Sequence, residues 1–503
     1  MLLKFPDYNM FQYEKALAEK EVRLIFPGAI YSVSDGGIQV HIDHDKYNIN
    51  DLLKLTYFKS IEWDGHEELT YQALKEASCP KVGTQKKQST RYGAHGLHEY
   101  KGKFNPQIVS SIINLCGIKQ GDKILEPFCG SGTTLYEAML NGISSDGFDY
   151  NPLACFLSNA KVASFRISGS ELLKYAEAVL LYCEENSHNI VIENDERSEY
   201  LSRWLDIKYL KIFECLLKTA SKMIDDDHIR NVFLSICSNN IREYSLQEPA
   251  DLRIRRRSSP YPDIDVLTKI KKSIAEVALS IDAIKKIQQN KNIEINTNSH
   301  NIDIRDKKGL VNYHGYDAAI TSPPYATALP YIDTQRLSLI WLGLATPKEV
   351  KLLENSLIGS RELTKKEEKI LREELKENKN QIKDELHELC NDMLTSLGSE
   401  DGFRRQAMPF IVYRYFSDMQ RMFKNVFSML NSNGSFALVV GHNQTTLGGK
   451  LFDLDTPTYL KMIAEENGFT SVDDIKLDVY KRYDLHKANS INSERLLILR
   501  KKD

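Results

Sequence analysis

The stretch ILEPFCGSGTTLYEAMLNGISSDGFDY (124–150) constrains the fold more than any other part of the chain. An apolar run enters a turn holding Gly130 and Gly132, a helix-forming segment follows, and a second strand-forming run ends on Asp149. Two short strands joined through a helix need a crossover connection, which predicts a parallel sheet covered by helices. The same rhythm extends upstream to a helix over PQIVSSIINLCG and returns later in YDAAITSPPY, in LSLIWLG and in FKNVFSMLNSNGSFALVVG. The fold class expected is α/β, a parallel sheet with crossover helices, interrupted by large helical insertions.

Two insertions break the rhythm. Between 163 and 295 apolar residues recur at threes and fours, as in WLDIKYLKIFECLLKTASKMI, which predicts helices and no strands. Between 345 and 405 lies ELTKKEEKILREELKENKNQIKDELHEL, whose mixed charges at helical spacing predict one exposed helix laced by ion pairs. The expected organisation is an N-terminal region of unassigned role (1–90), a core half (91–162), the first insertion (163–295), a second core half (296–344), the charged insertion (345–405) and closing core strands (406–503). In the first region a polar helix is expected, then short strands in EVRLIFPGAIYSV and GIQVHI, and KVGTQKKQSTRYG (81–93) is read as a linker.

At 503 residues the chain is too long for one ordinary core. Its 66 basic and 69 acidic residues give a net charge of −3, so any nucleic-acid partner needs a local basic surface. No apolar run reaches membrane-spanning length and the first residues lack a signal-peptide layout, which predicts no membrane association. The eight cysteines contain no CxxC pair, an arrangement that suits a reducing, cytoplasmic setting and predicts no metal site.

Glycines at 130 and 132 let the backbone pass close to a ligand, and the following helix start offers unpaired N–H groups. The loop lacks the Lys-Ser/Thr of a phosphate loop, which argues against ATP. Asp149, ending the next strand, can accept both hydroxyls of a ribose. The string EPFCGSGTT resembles the cofactor motif of S-adenosylmethionine-dependent DNA amino-methyltransferases, usually Asp-Pro-Phe-x-Gly-Ser-Gly-Thr, with Glu126 where that family has Asp. The resemblance implies a Rossmann-like methyltransferase sheet and S-adenosyl-L-methionine as cofactor. It implies that Glu126, Pro127, Phe128, Gly130, Gly132 and Thr133 surround the methionine part and that Asp149 binds the ribose. HGLHEYKGKFNPQIV (95–109) looks like the segment that family places beside the cofactor. Asp303 in NIDIRD matches its acidic residue near the adenine ring, with Asp306 as a competing candidate.

The tetrapeptide Ser322-Pro323-Pro324-Tyr325 ends another predicted strand, at the sheet edge where ligands bind in open α/β folds. Two prolines fix the backbone and remove donors, so a serine hydroxyl and a prolyl carbonyl can accept from an exocyclic amine while Tyr325 offers a stacking face. The motif resembles the catalytic (Asp/Asn/Ser)-Pro-Pro-(Tyr/Phe) of the same family, its serine form resembling the cytosine-N4 branch. The resemblance covers about 91–162 and 296–343. It implies methylation of a flipped base in double-stranded DNA, in a restriction-modification system with a cognate endonuclease. Adenine N6 is the first alternative. A tRNA guanine-N2 methyltransferase, which shares a similar turn, is the second, and a catalytically inactive DNA-binding module the third. Arg253, Arg255, Arg256 and Arg257 in ADLRIRRRSSPYPDIDV form the candidate DNA contact, because guanidinium forks match phosphates and guanine edges.

Overall fold

Ile124 and Leu125 are buried from opposite faces, and that double burial explains why KILE becomes the central strand of the molecule. The computed structural model describes residues 1–42, 47–79, 88–287, 295–326, 331–478 and 493–502. Its strands are β1 (Leu2–Lys4), β2 (Ile30–Ser34), β3 (Gly37–His41), β4 (Ser60–Trp63), β5 (His66–Leu69), β6 (Lys123–Glu126), β7 (Ser144–Phe148), β8 (Thr297–His300), β9 (Tyr316–Thr321), β10 (Leu430–Gly441), β11 (Asn443–Leu447), β12 (Lys450–Leu454), β13 (Phe469–Asp478) and β14 (Ser493–Lys501). Seven of them form one sheet in the order β13-β14-β10-β9-β6-β7-β8. The neighbours from β8 to β10 are parallel, whereas β14 runs antiparallel to both β10 and β13. The sheet is doubly wound and Rossmann-like. Strand order reverses between β6 and β9, and such a switch point opens a crevice at the strands' carboxyl ends.

Alternation along the strands gives the sheet its two apolar faces. Ile124, Ile320, Ala437, Val439, Leu496 and Ile498 point to one core, and Leu125, Ala319, Phe436, Leu438, Leu497 and Leu499 to the other. Residues from the N-terminal region, to which the sequence assigned no role, help cover the first face. Leu3, Leu17, Val22, Val40 and Ile61 share that core with Ile112 and Ile113 of the helix Pro106–Leu115. Their five-stranded sheet has the order β2-β3-β1-β4-β5. It begins with a strand, β1, that three residues of sequence gave no means to detect. The expected linker falls mostly on 80–87, outside the described residues.

The first insertion is helical as read, over Gly169–Asn186, Glu196–Ser202, Ile207–Met223, Asp227–Ile241 and Val266–Ile287. It packs on the helix Tyr331–Trp341, with Trp341 wholly buried. The charged insertion departs from expectation. It forms two helices after Pro347–Ser356, Lys365–Lys376 and Asp384–Thr395, broken where Asn378 and Gln381 take positive φ. Leu371, Leu375, Leu386, Cys390 and Met393 are buried against the long helix Met408–Met429, so the charge-dense segment has an apolar stripe beneath its exposed face. All eight cysteines are free thiols. Among the described residues no helix is long and apolar enough to cross a membrane.

Candidate active site

The turn after β6 is held by its own side chains. Gly132, with φ of +74°, starts the helix Thr133–Leu140, and a Cβ there would lie 2.3 Å from the Ser158 hydroxyl, so only glycine allows this helix to pack so closely on its neighbour. Gly130, also at positive φ, passes beneath the Tyr100 ring. At the end of β7 both carboxylate oxygens of Asp149 accept backbone N–H groups, Oδ2 from Gly130 at 3.0 Å and Oδ1 from Asn151 at 2.9 Å. The acid is thereby fixed between two adjacent loops, with lone pairs left for a ligand. Burial raises its pKa to about 6 against the lowering effect of those two bonds, and the charge of Asp303 adds to the rise.

Asp149 and Gly130 lie in a cleft of about 760 Å³ of space open to solvent. Its wall also contains Tyr100, Pro127, Phe128, Asp303, Ser322, Pro324 and Tyr331. The cleft therefore unites both glycine-turn and Pro-Pro segments, which almost two hundred residues of sequence separate, because β6 and β9 are adjacent in the sheet. Asp303 follows β8 and chelates Arg305, whose Nη2 donates at 2.6 Å while its Nη1 reaches Asp418 at 2.8 Å. Asp306 is exposed and accepts from the Lys308 amide, whereas Asp303 is part of the cleft wall.

Three of the residues matched to the cofactor motif sit beneath the cleft. Glu126 is only 2% exposed; its Oε1 accepts the Phe128 N–H at 3.2 Å and its other oxygen accepts the Thr134 hydroxyl. Burial pushes its pKa up to about 8, so it is protonated near neutrality. Its position makes it a brace for the turn rather than a wall of the cleft. Gly132 and Thr133 are likewise absent from the wall, and among the described residues the buried Thr133 hydroxyl has no hydrogen-bond partner.

In the Pro-Pro turn, Ser322 and Pro324 reach the cleft and Pro323 is buried beneath them. The Pro324 carbonyl accepts the Tyr415 hydroxyl at 3.0 Å. Tyr325 is half-buried, its hydroxyl donating to Glu494 of β14. Burial, and then the Glu494 charge, hold the phenol well above its ordinary pKa, and burial raises that of Glu494. Tyr100, Tyr331, Tyr415 and Glu494 carried no individual signal in the sequence. Only Tyr100 fell inside a segment read as lying beside the cofactor.

The arginine run divides. Arg257 donates to the carbonyls of Ser245 at 2.7 Å, Pro260 at 2.7 Å and Glu243, so its fork is spent on bracing the loop. Arg256 stacks on Trp204, 4.5 Å from the ring centroid, and donates to the Arg203 carbonyl. Arg255 is exposed and 3.7 Å from Asp251, whereas the exposed Arg253 side chain makes no ion pair among the described residues. Of the four arginines, Arg253 and Arg255 thus leave their side chains most exposed, and Arg257 is the one most engaged within its own loop.

The donor set fits one class of cofactor: a fixed acid able to take ribose hydroxyls, a glycine passage, a second acid and aromatic walls. An S-adenosylmethionine-type cofactor presents that chemistry, a ribose, an adenine and a methionine chain. Comparison with known proteins finds similarity to methyltransferases over part of the chain. A family model described as UPF0020, RMKL-like, methyltransferase domain, matches residues 97–206. The Type II methyltransferase M.MjaII of Methanocaldococcus jannaschii is 32% identical over 195 residues, 38% of this chain and 34% of that protein. The Type II methyltransferase M.MvaI of Kocuria varians is 24% identical over 302 residues, 54% of this chain and 63% of that protein. A tRNA (guanine(10)-N2)-dimethyltransferase of Methanothermobacter thermautotrophicus is 46% identical over 50 residues, 10% of this chain and 15% of that protein. The matched region spans less than two thirds of the length of each of these relatives.

Proposed function

We propose that this chain is a site-specific DNA methyltransferase that methylates the exocyclic amine of a flipped base, cytosine N4 in preference to adenine N6. The observation that carries the reading is the meeting of Ser322 and Pro324 with Asp149 and Gly130 in one cleft, at the sheet's switch point. The relatives named as Type II methyltransferases support DNA as the substrate and a restriction-modification setting with a cognate endonuclease. The serine form of the Pro-Pro turn supports cytosine.

S-adenosyl-L-methionine, when bound, supplies a methyl group on an electrophilic sulfonium. Asp149 would hold its ribose, Asp303 would lie toward its adenine, and Gly130 with Phe128 would border its methionine part. The remaining work belongs to the turn. The Ser322 hydroxyl and the Pro323 carbonyl accept hydrogen bonds from the base NH₂, adding electron density to nitrogen and fixing its direction. Positioning alone can supply much of the required rate. Extruding the base costs a few kcal/mol, and stacking on Tyr325, on the order of 1–3 kcal/mol, offsets much of it.

Purified protein incubated with labelled methyl donor and mixed duplex DNA, followed by nucleoside digestion, is expected to yield N4-methylcytosine. N6-methyladenine would change the base. Product on tRNA with none on duplex DNA would replace the reading with the RNA alternative, which the short tRNA-enzyme match favours.

A further inference from the structure

Three arginines from three separate segments, close enough for Arg253 and Arg404 to act on the charge of Arg361, stand on loops tied to the wall of this cleft. The first is Arg253, whose loop is tied to the helix that follows the Pro-Pro turn: the Ile254 N–H donates to Asp333 Oδ2 at 3.4 Å, and Gln247 Nε2 to the Asp333 carbonyl at 2.8 Å. That helix begins at Tyr331, itself part of the cleft wall. The second is Arg361, three residues beyond Ile358, which also lines the cleft. Its segment is pinned by Arg414, which donates to the Ser360 carbonyl at 2.6 Å and the Glu362 carbonyl at 3.2 Å.

The third is Arg404, on the exposed turn Phe403–Gln406. Asp401 Oδ2 binds this loop to the β11–β12 hairpin by accepting from Gly398 at 2.9 Å and Gly448 at 2.7 Å. At the hairpin's start, Asn443, with its amide oxygen turned toward Ala326, accepts that residue's N–H at 3.2 Å. Ala326 directly follows Tyr325, so this arginine too is anchored through the reacting turn.

The convergence has an electrostatic cost that the fold tolerates. Burial lowers the pKa of Arg361, and the like charges of Arg253 and Arg404 lower it further. Asp333 and Glu362 share the neighbourhood, but Asp333 is engaged with the Ile254 amide. Neither Arg253 nor Arg404 forms an ion pair among the described residues. Beside Arg404, the Phe403 ring is 64% exposed. Cations next to an exposed aromatic ring are how proteins hold the backbone and bases of an opened nucleic-acid strand.

We propose that Arg253, Arg361 and Arg404 form a clamp for consecutive phosphates of the DNA strand carrying the target base, on either side of the extruded nucleotide. The inference rests on the DNA reading above; it keeps Arg253 from the basic run and adds Arg361 and Arg404 from two other segments.

The test measures duplex DNA affinity against salt for the full chain, for R253A, R404A and R361A/R404A, and for R372A as a control on an exposed helix already paired with Glu368. Each lost phosphate contact flattens the log–log salt slope by about 0.9. The double variant is therefore expected to be shallower by about 2 and each exposed single variant by about 1, with R372A unchanged. Cofactor affinity, measured by calorimetry on the same samples, is expected to stay within twofold of wild type. An unchanged slope in R253A and R404A overturns the clamp even if the double variant misfolds. Flattening with tRNA but none with duplex DNA overturns its assignment to DNA. A wild type that methylates no duplex DNA defeats the functional reading instead, whereas normal wild-type activity with unchanged slopes defeats the clamp alone.

Discussion

Tyr415 donates its hydroxyl to the carbonyl oxygen of Pro324 at 3.0 Å, so the long helix Met408–Met429 sets the direction of the Pro-Pro turn from behind. Proline removes donors from this turn, and its carbonyls therefore depend on outside partners for orientation.

Tyr415 is 1% exposed, and Tyr415→Phe keeps its packing while stranding the Pro324 carbonyl. The net loss of such a bond is about 1 kcal/mol. We expect single-turnover methylation to slow about fivefold, with cofactor affinity unchanged. Equal weakening of cofactor binding in calorimetry would show that the bond supports the whole cleft instead of the turn.

Asp149 links function to pH. Its folded-state pKa, about 6, lies above its ordinary value of 3.8 because of burial. An acid raised on folding binds its proton more tightly in the native state, so its contribution to stability falls as pH rises from about 3.8 through about 6. Above that window the charged carboxylate is a burden on the apo protein, and under the proposed ribose contact it would be an asset to cofactor binding. Asp149→Asn is expected to raise the apo melting temperature at pH 7.5 while abolishing most cofactor affinity. In the wild type, cofactor binding should weaken as pH falls below about 6. A variant that melts lower and binds normally would remove Asp149 from both roles.

How much of this was legible in the sequence depends on the range of the interaction. The β6 turn and the end of β7 follow from local chemistry, since Gly130, Gly132 and Asp149 act within one crossover unit, and the Pro-Pro turn is equally local. What the sequence did not reveal are contacts made across long separations. Tyr415 meets Pro324 and Glu494 meets Tyr325 only because β10 and β14 close the sheet. The charged insertion misled for a related reason: its net polarity is real, but Leu371, Leu375 and Leu386 form a stripe whose partner helix lies elsewhere in the chain. Arg257 shows that a basic run does not by itself mean exposure, because backbone carbonyls of a folded loop compete for guanidinium donors as effectively as phosphates do.

Glu126 separates two roles that a motif match cannot. Were its carboxylate to touch the cofactor, Glu126→Gln would reduce affinity by a large factor. Its observed bonds are internal, to the Phe128 amide and the Thr134 hydroxyl, and its pKa of about 8 keeps it protonated at neutral pH. A neutral amide can preserve one of those bonds. The expected outcome is a modest fall in melting temperature, corresponding to about 1 kcal/mol, with cofactor affinity within threefold of wild type. The wild type should also lose stability as pH rises through about 8, a loss that Glu126→Gln would abolish. A tenfold or greater loss of affinity in a stably folded variant would restore the contact role.

Tyr325 offers two chemically distinct contributions, a ring and a hydroxyl. The hydroxyl is engaged by Glu494, from a strand that runs antiparallel at the sheet's far side, and burial raises the pKa of that carboxyl. If the ring is the stacking face for an extruded base, Tyr325→Phe should retain most of the methylation rate, and Tyr325→Ala should lose on the order of tenfold or more from the stacking term of about 1–3 kcal/mol. Glu494→Gln should then resemble Tyr325→Phe, because either change alters only the orienting bond. The discriminating measurement is affinity for a duplex in which the target base is already mismatched. Prior unpairing lowers the extrusion cost, so the alanine variant should recover affinity on mismatched DNA relative to paired DNA. Tyr325→Phe and Tyr325→Ala falling equally would mean that the bond to Glu494, and not the ring, is what the reaction requires.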